Sequence, residues 1–254
     1  MKVVFFKKKT LFSLIGVLVL IFAFSLNFGG IPVSAAYFGG VKKLPIYSVQ
    51  TEENKVAISF DAAWGADKTS EIMTVCESYG VKATFFLVGF WIEKYPEKVK
   101  EIYNRGFEIG IHSSTHPDMT KLSKPKMREE LSNNIKLIQD ITGFTPKLFR
   151  PPFGYYNNSL IEVCEELGLC CIEWSVDSLD WKGLSANELS GRVISSAKAG
   201  SIVLFHNNSD NIIPGLKLVL EHFKQQKTHV VPIGQLIYYD NYTINVQGTQ
   251  IPNS

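Results

Sequence analysis

The feature that most constrains this chain is a repeated alternation of short apolar runs with amphipathic helical stretches, starting at Lys55. Residues 55–60 (KVAISF), 82–88 (KATFFLV), 107–111, 146–149, 169–176, 201–205 (SIVLF) and 229–231 read as strands. Between them, residues 67–79, 91–104, 123–141, 158–167, 185–198 and 214–226 read as helices. The stop signals are local: Gly80, Gly106, Gly143 and Gly168 each stand just past a helical stretch, where a left-handed residue closes the last turn. Ser123 is a plausible N-cap with Pro125 in the first turn, and Ser185-Ala186-Asn187-Glu188 is a capping-box pattern. Most of the strands are near-continuous apolar runs. Such strands are buried on both faces, as in parallel sheets covered by helices. An open doubly wound sheet and a closed barrel both satisfy this pattern, and periodicity does not choose between them.

The first 36 residues differ in kind. Lys2, Lys7, Lys8 and Lys9 precede an apolar run over 11–28, followed by Gly29, Gly30, Pro32 and the small-residue stretch Val33-Ser34-Ala35-Ala36. That is the order of a secretory signal. The run of about 18 residues also reaches the lower edge of what spans a bilayer, so residues 1–36 are a signal peptide or a transmembrane anchor, with membrane attachment through residues 10–28. Either way the basic flank places the remainder outside the cytoplasm. Setting those four lysines aside leaves 22 basic residues against 24 acidic ones, which excludes an electrostatic nucleic-acid footprint. Cys76, Cys164, Cys170 and Cys171 fall in expected helices and a strand. Neighbours on a strand point to opposite faces, so buried free thiols are expected. Residues 37–54 read as a linker, 55–239 as the domain, and 240–254 as a polar tail expected to fray.

Chemistry-bearing side chains stand where the strands end. Asp61 follows the first, His112 and His116 the third, Arg150 the fourth, Asp177 and Asp180-Trp181 the fifth, and His206 the sixth. In a parallel α/β fold all these ends lie on one side, the side that carries chemistry. Two histidines four apart suit a shared metal, since neutral imidazole is the commonest metal ligand. Each residue also has a plainer use: Asp61 as a turn cap, Arg150 in an ion pair, Asp177 and Asp180 serving their own backbone, Phe153 and Trp181 as core.

The whole set resembles the NodB-homology polysaccharide deacetylases, carbohydrate esterase family four. Ser59-Phe60-Asp61 with Gly65, His112-x-x-x-His116, Arg150-Pro151-Pro152-Phe153-Gly154, Asp177-Ser178-Leu179-Asp180-Trp181 and Leu204-Phe205-His206 stand in family order. The version Phe60-Asp61-Ala62-Ala63-Trp64-Gly65 is similar to a sporulation-associated subgroup. The resemblance implies a distorted (β/α) barrel of about seven parallel strands and hydrolysis of N-acetyl groups from amino sugars of a cell-wall glycan, peptidoglycan above chitin-type oligomers. It implies a divalent metal, zinc by expectation, on His112 and His116. It makes Asp61 the base, held by Arg150, and His206 the acid, oriented by Asp180 with Asp177 in support. The Phe153 N–H becomes the oxyanion donor, and Trp181 and Leu204 line the acetyl slot. One departure stands out. The family places a second, metal-ligating Asp after the base, and this chain has Ala62. Catalytic zinc usually has three protein ligands. Either water fills the gap, or Asp67 or Asp118 reaches in, or the cleft binds glycan without turnover; retained but slowed chemistry is the expectation.

Overall fold

A computed structural model describes residues 42–253. The signal or anchor expected over residues 1–36 lies outside the described residues. Among those described, no helix is long and apolar enough to cross a membrane.

The strands are β1 (Ser48–Val49), β2 (Lys55–Ala62), β3 (Thr84–Leu87), β4 (Glu108–Ile111), β5 (Leu148–Phe149), β6 (Cys170–Cys171), β7 (Val176–Asp177), β8 (Ile202–His206), β9 (His229–Val231), β10 (Tyr242–Ile244) and β11 (Thr249–Pro252). Seven of them form one parallel sheet in the order β6-β5-β4-β3-β2-β8-β7, with β9 added to β2. The two edges, β6 and β7, are consecutive in the chain. Residues 172–175 cross from one edge to the other, so the sheet curls into the expected distorted barrel, joined at that seam by chain rather than by a ladder. Here the expected single strand over 169–176 is corrected. Its residues pair with Leu148 and Phe149 on one side of the seam and with Val203 and Leu204 on the other.

Helices α1 (Thr69–Ser78), α2 (Gly89–Lys94), α3 (Pro96–Asn104), α4 (Lys124–Thr142), α5 (Asn158–Glu166), α6 (Ala186–Ser196) and α7 (Ile212–Gln225) follow the strands, and a short α8 (Ile233–Leu236) follows β9. The helix expected over 91–104 is two helices. Pro96 starts the second one, and the preceding Tyr95 leaves helical geometry at φ −130°, ψ 52°, as a residue before proline tends to. At Ser185 the capping box forms in full. Strand alternation divides the core. Ile58, Phe60 and Ala62 pack outward into a large cluster with the helices, whereas Ala57, Phe86, Leu148, Ile172 and Ile202 fill the barrel's floor. Each of the Ile, Leu and Phe side chains among them contributes about 1.5–3 kcal/mol when fully buried.

The segments expected as linker and tail carry structure. β1 pairs with β11, and β11 with β10, in a separate small sheet. Ile46 and Val49 are buried in the floor cluster. Val49 lies so close to Gly200 (φ +79°) that a Cβ there would fall 1.7 Å from the Val49 carbonyl oxygen. Polarity misled the expectation of a fraying tail, because these strands are held mainly by backbone bonds and by the buried Gln250 side chain, which exchanges hydrogen bonds with Tyr238. All four cysteines are free; Cys76, Cys164 and Cys171 are buried and Cys170 is half-buried.

Candidate active site

Asp61 and His206 are register partners on the adjacent parallel strands β2 and β8. Two titratable groups are thus placed side by side at strand ends by the sheet itself. They open into a cleft of about 580 Å³ that also takes in His112, His116, Phe153, Trp181 and Leu204. Arg150 and Asp180 are buried behind it. Every site residue expected from sequence therefore gathers at one mouth.

Arg150 is completely buried. Its Nη1 donates to Asp61 Oδ1 at 2.8 Å and to Ser59 Oγ at 2.9 Å, and Nη2 donates to the Glu173 carbonyl at 3.2 Å. The guanidinium lies over the Phe86 ring, 4.2 Å from its centroid. Burial alone would raise the Asp61 pKa, but the Arg150 charge, followed by those of the neighbouring histidines, reverses the shift and holds it below the usual value. Asp61 is accordingly an oriented carboxylate.

Asp180 clasps His206 twice. Its Oδ2 accepts the His206 backbone N–H and its Oδ1 accepts Nδ1–H, both at 2.8 Å. A carboxylate only accepts, so Nδ1 carries the proton and Nε2 is left for the cleft. Burial works against a charged imidazole here, but the Asp180 hydrogen bond and charge, with Asp61 and Asp177, outweigh it and raise the His206 pKa. Asp177 lines the cleft, yet its Oδ1 accepts the N–H of Leu179, the local backbone service expected of turn aspartates.

The histidine wall is less complete. His112 donates Nδ1–H to the Arg150 carbonyl at 2.7 Å, which fixes its tautomer, and burial lowers its pKa. The neutral Nε2 then faces Asp61 Oδ2 at 3.5 Å, lone pair to lone pair. His116 meets His112 edge-on with ring centroids 5.0 Å apart; burial pushes its pKa down to about 4. Ser113 and His116 both hold positive φ, at 64° and 58°, the kind of strained backbone found at functional sites. The third donor is missing. Ala62 packs into the outer apolar cluster. Asp118 is engaged by Thr120 and Lys121, and the exposed Asp67 does not line the cleft. Among the described residues no three His, Cys, Asp or Glu side chains converge as a metal group. The resident donors do not make the three-ligand site that the resemblance implied.

Phe153 sits at φ +62° in a one-turn 3-10 helix, Pro152–Gly154. The turn's hydrogen bonds use the N–H groups of Gly154 and Tyr155 and not that of Phe153. Beneath it lies Glu173, a residue sequence reasoning passed over. Its carboxyl would stand 3.3 Å from a Cβ on Gly154. Oε1 is buried without a partner, and burial, helped by the Asp61 charge and opposed by Arg150, pushes its pKa up to about 8. A charged residue inside an apolar run was the available signal. Trp64, Tyr155 and Trp174, also lining the cleft, were missed as well.

With the strand-end groups gathered in and behind one cleft, known proteins give a consistent picture. A polysaccharide deacetylase family model matches residues 48–172. A mutant of a CE4 family pseudoenzyme, with restored enzymatic activity, superposes at a TM-score of 0.74 with 31% identity, over 77% of this chain and 71% of that one. The chain belongs to the polysaccharide deacetylase family, CE4. The wild-type form of that pseudoenzyme, from Bacillus anthracis, gives the same TM-score at 28% identity, over 82% of this chain and 72% of its own. A peptidoglycan-N-acetylglucosamine deacetylase of Bacillus cereus is 33% identical over 174 residues, 64% of this chain and 63% of that protein. The chain thus spans under two thirds of the length of that deacetylase. Within the CE4 fold, Asp61 and His206 each keep a buried partner, and among the described residues no third donor joins His112 and His116.

Proposed function

We propose that this chain, exported and held at or near the membrane, removes N-acetyl groups from amino sugars of a cell-wall polysaccharide, peptidoglycan first, with a role in building the spore wall. The observation that carries this reading is the side-by-side pair Asp61 and His206, each buttressed by its own buried partner. The similarity to a peptidoglycan-N-acetylglucosamine deacetylase supports the choice of polymer.

Asp61, ionised against Arg150, accepts a proton from the water that attacks the acetyl carbonyl. The Phe153 N–H donates to the oxygen as it becomes negative. His206, protonated and gripped by Asp180, gives the Nε2 proton to the departing amine. The products are acetate and a free amino sugar. A divalent metal, where the family binds one, acidifies the water and polarises the carbonyl; among the described residues the donor set here does not form that site. Since Asp61 is a weakened base, slow turnover is the expectation.

The deciding experiment measures acetate release from N-acetylglucosamine oligomers and peptidoglycan, with and without added zinc or cobalt. Slow release that vanishes in His206→Ala supports the proposal. A second reading, a glycan-binding wall-assembly protein without turnover, is favoured by Ala62 alone. It wins if no metal elicits acetate while oligomers still bind.

A further inference from the structure

A row of aromatic rings leads out of the cleft toward a second groove. The Phe153 ring lies 4.7 Å from His116, His116 lies 5.3 Å from Trp64, and Trp64 lies 6.4 Å from Phe90, centroid to centroid. Four separate segments, one of them the first turn of α2, supply these rings, so the row is a product of the fold and not of any local sequence pattern. Their exposure is unusual for large apolar side chains: 57% for Phe153, 58% for Trp64 and 37% for Phe90. Beyond Phe90 the surface sinks into a groove of about 380 Å³ between α2 and α4, bordered by Glu93, Asn133, Lys136 and Asp140.

One loop separates the two depressions. His112 and His116 line the cleft, whereas Ser114 and Thr115 line the groove. That ridge is held firmly. Glu130 accepts the N–H groups of Ser114 and Thr115, both at 2.8 Å, and the Thr115 hydroxyl at 2.7 Å. Gly89 packs beneath, where a Cβ would come within 2.7 Å of the Ser114 carbonyl oxygen. The groove is therefore preformed rather than waiting on a loop movement.

We propose that the cleft continues as a glycan track, across Trp64 and Phe90 into this groove, and that the groove holds a neutral sugar of the same polymer beyond the one presented to Asp61 and His206. The inference rests on the glycan reading of the cleft. Its chemistry is that of a pyranose, whose C–H face lies on an aromatic ring while its hydroxyls reach polar side chains at the rim, the mix of apolar wall and few polar groups common to ligand sites. Lys136 is already paired with Asp140 at 2.7 Å. With no uncompensated cation to attract a carboxylate, the groove suits a neutral amino sugar better than an acidic one.

The test titrates the full chain with N-acetylglucosamine dimer and hexamer by calorimetry, for wild type, Phe90→Ala and Asn133→Ala. The hexamer should bind more tightly than the dimer. Both substitutions should weaken the hexamer on the order of tenfold, the usual loss on removing an interface anchor, and leave the dimer unchanged. Thermal midpoints check that the variants fold, and the two substitutions lie on opposite walls of the groove. Equal affinity for both lengths, or hexamer binding that survives both substitutions while Trp181→Ala weakens both oligomers, overturns the track and spares the cleft. If neither oligomer binds wild type, the glycan reading itself fails, and the track with it.

Discussion

The two sides of the cleft are built to different standards. On the β2–β8 side both facing groups have a buried partner: Asp61 has Arg150, and His206 has both oxygens of Asp180. On the loop side His112 is oriented by a carbonyl, but its free nitrogen faces a carboxylate oxygen, and the strand position that would complete a metal site is a buried methyl. The contrast teaches that the placement of Asp61 and His206 and the placement of the histidine pair are separable here. The first is fixed by sheet register, the second by the loop that follows β4.

The largest expected effect tests the complete side. His206→Ala should lower acetate release by roughly 10²–10⁴-fold, the usual worth of a positioned general acid, with little change in oligomer affinity by calorimetry. Arg150→Met comes next. It strands the Asp61 carboxylate in the barrel, and breaking a buried pair costs about 3–5 kcal/mol, to be read from denaturant midpoints. If stability barely moves, Asp61 is less dependent on its partner than the geometry indicates.

Glu173→Gln sharpens the comparison through pH. The folded-state pKa of Glu173, about 8, lies above its ordinary value of 4.5. Its favourable contribution is therefore full below about 4.5 and is lost as pH rises through about 8, at up to about 1.4 kcal/mol per pH unit. The amide should flatten that decline in a series of unfolding curves; an unchanged slope would mean the carboxyl is already ionised in the fold. The smallest expected gain tests the incomplete side. Ala62→Asp should raise zinc content and acetate release roughly 10–100-fold, the scale on which metal-site partners act, and zinc should raise its melting temperature. A variant that takes up no zinc would show that more than one side chain is missing.

Much of the site was legible because strand-end residues are local signals. Asp61, Arg150 and His206 each follow an apolar run, and a parallel sheet brings such ends together. What stayed hidden depends on distant placement. Pro96 was visible, but whether it bends a helix or begins a new one is decided by packing. Glu173 sits in a run that reads as one strand, and its burial follows from the chain's crossing of the barrel seam. The row through Phe153, His116, Trp64 and Phe90 joins residues from four distant segments that no spacing relates. The strands at Tyr242–Ile244 and Thr249–Pro252 were masked by polar composition, since backbone pairing leaves little trace in side-chain pattern.

The small sheet at the barrel's floor has a mechanical consequence. Ser48 pairs with Thr249 and Val49 with Gln250, while Val49 N–H also bonds the Gly200 carbonyl beside the start of β8. A tug on the lead-in is therefore resisted by a clasp of backbone bonds drawn from both extremities of the domain, and the loops bearing His112, His116 and Phe153 stay unloaded. Pulled from Lys43, the domain should hold until this clasp parts, a threshold that single-molecule extension would read directly.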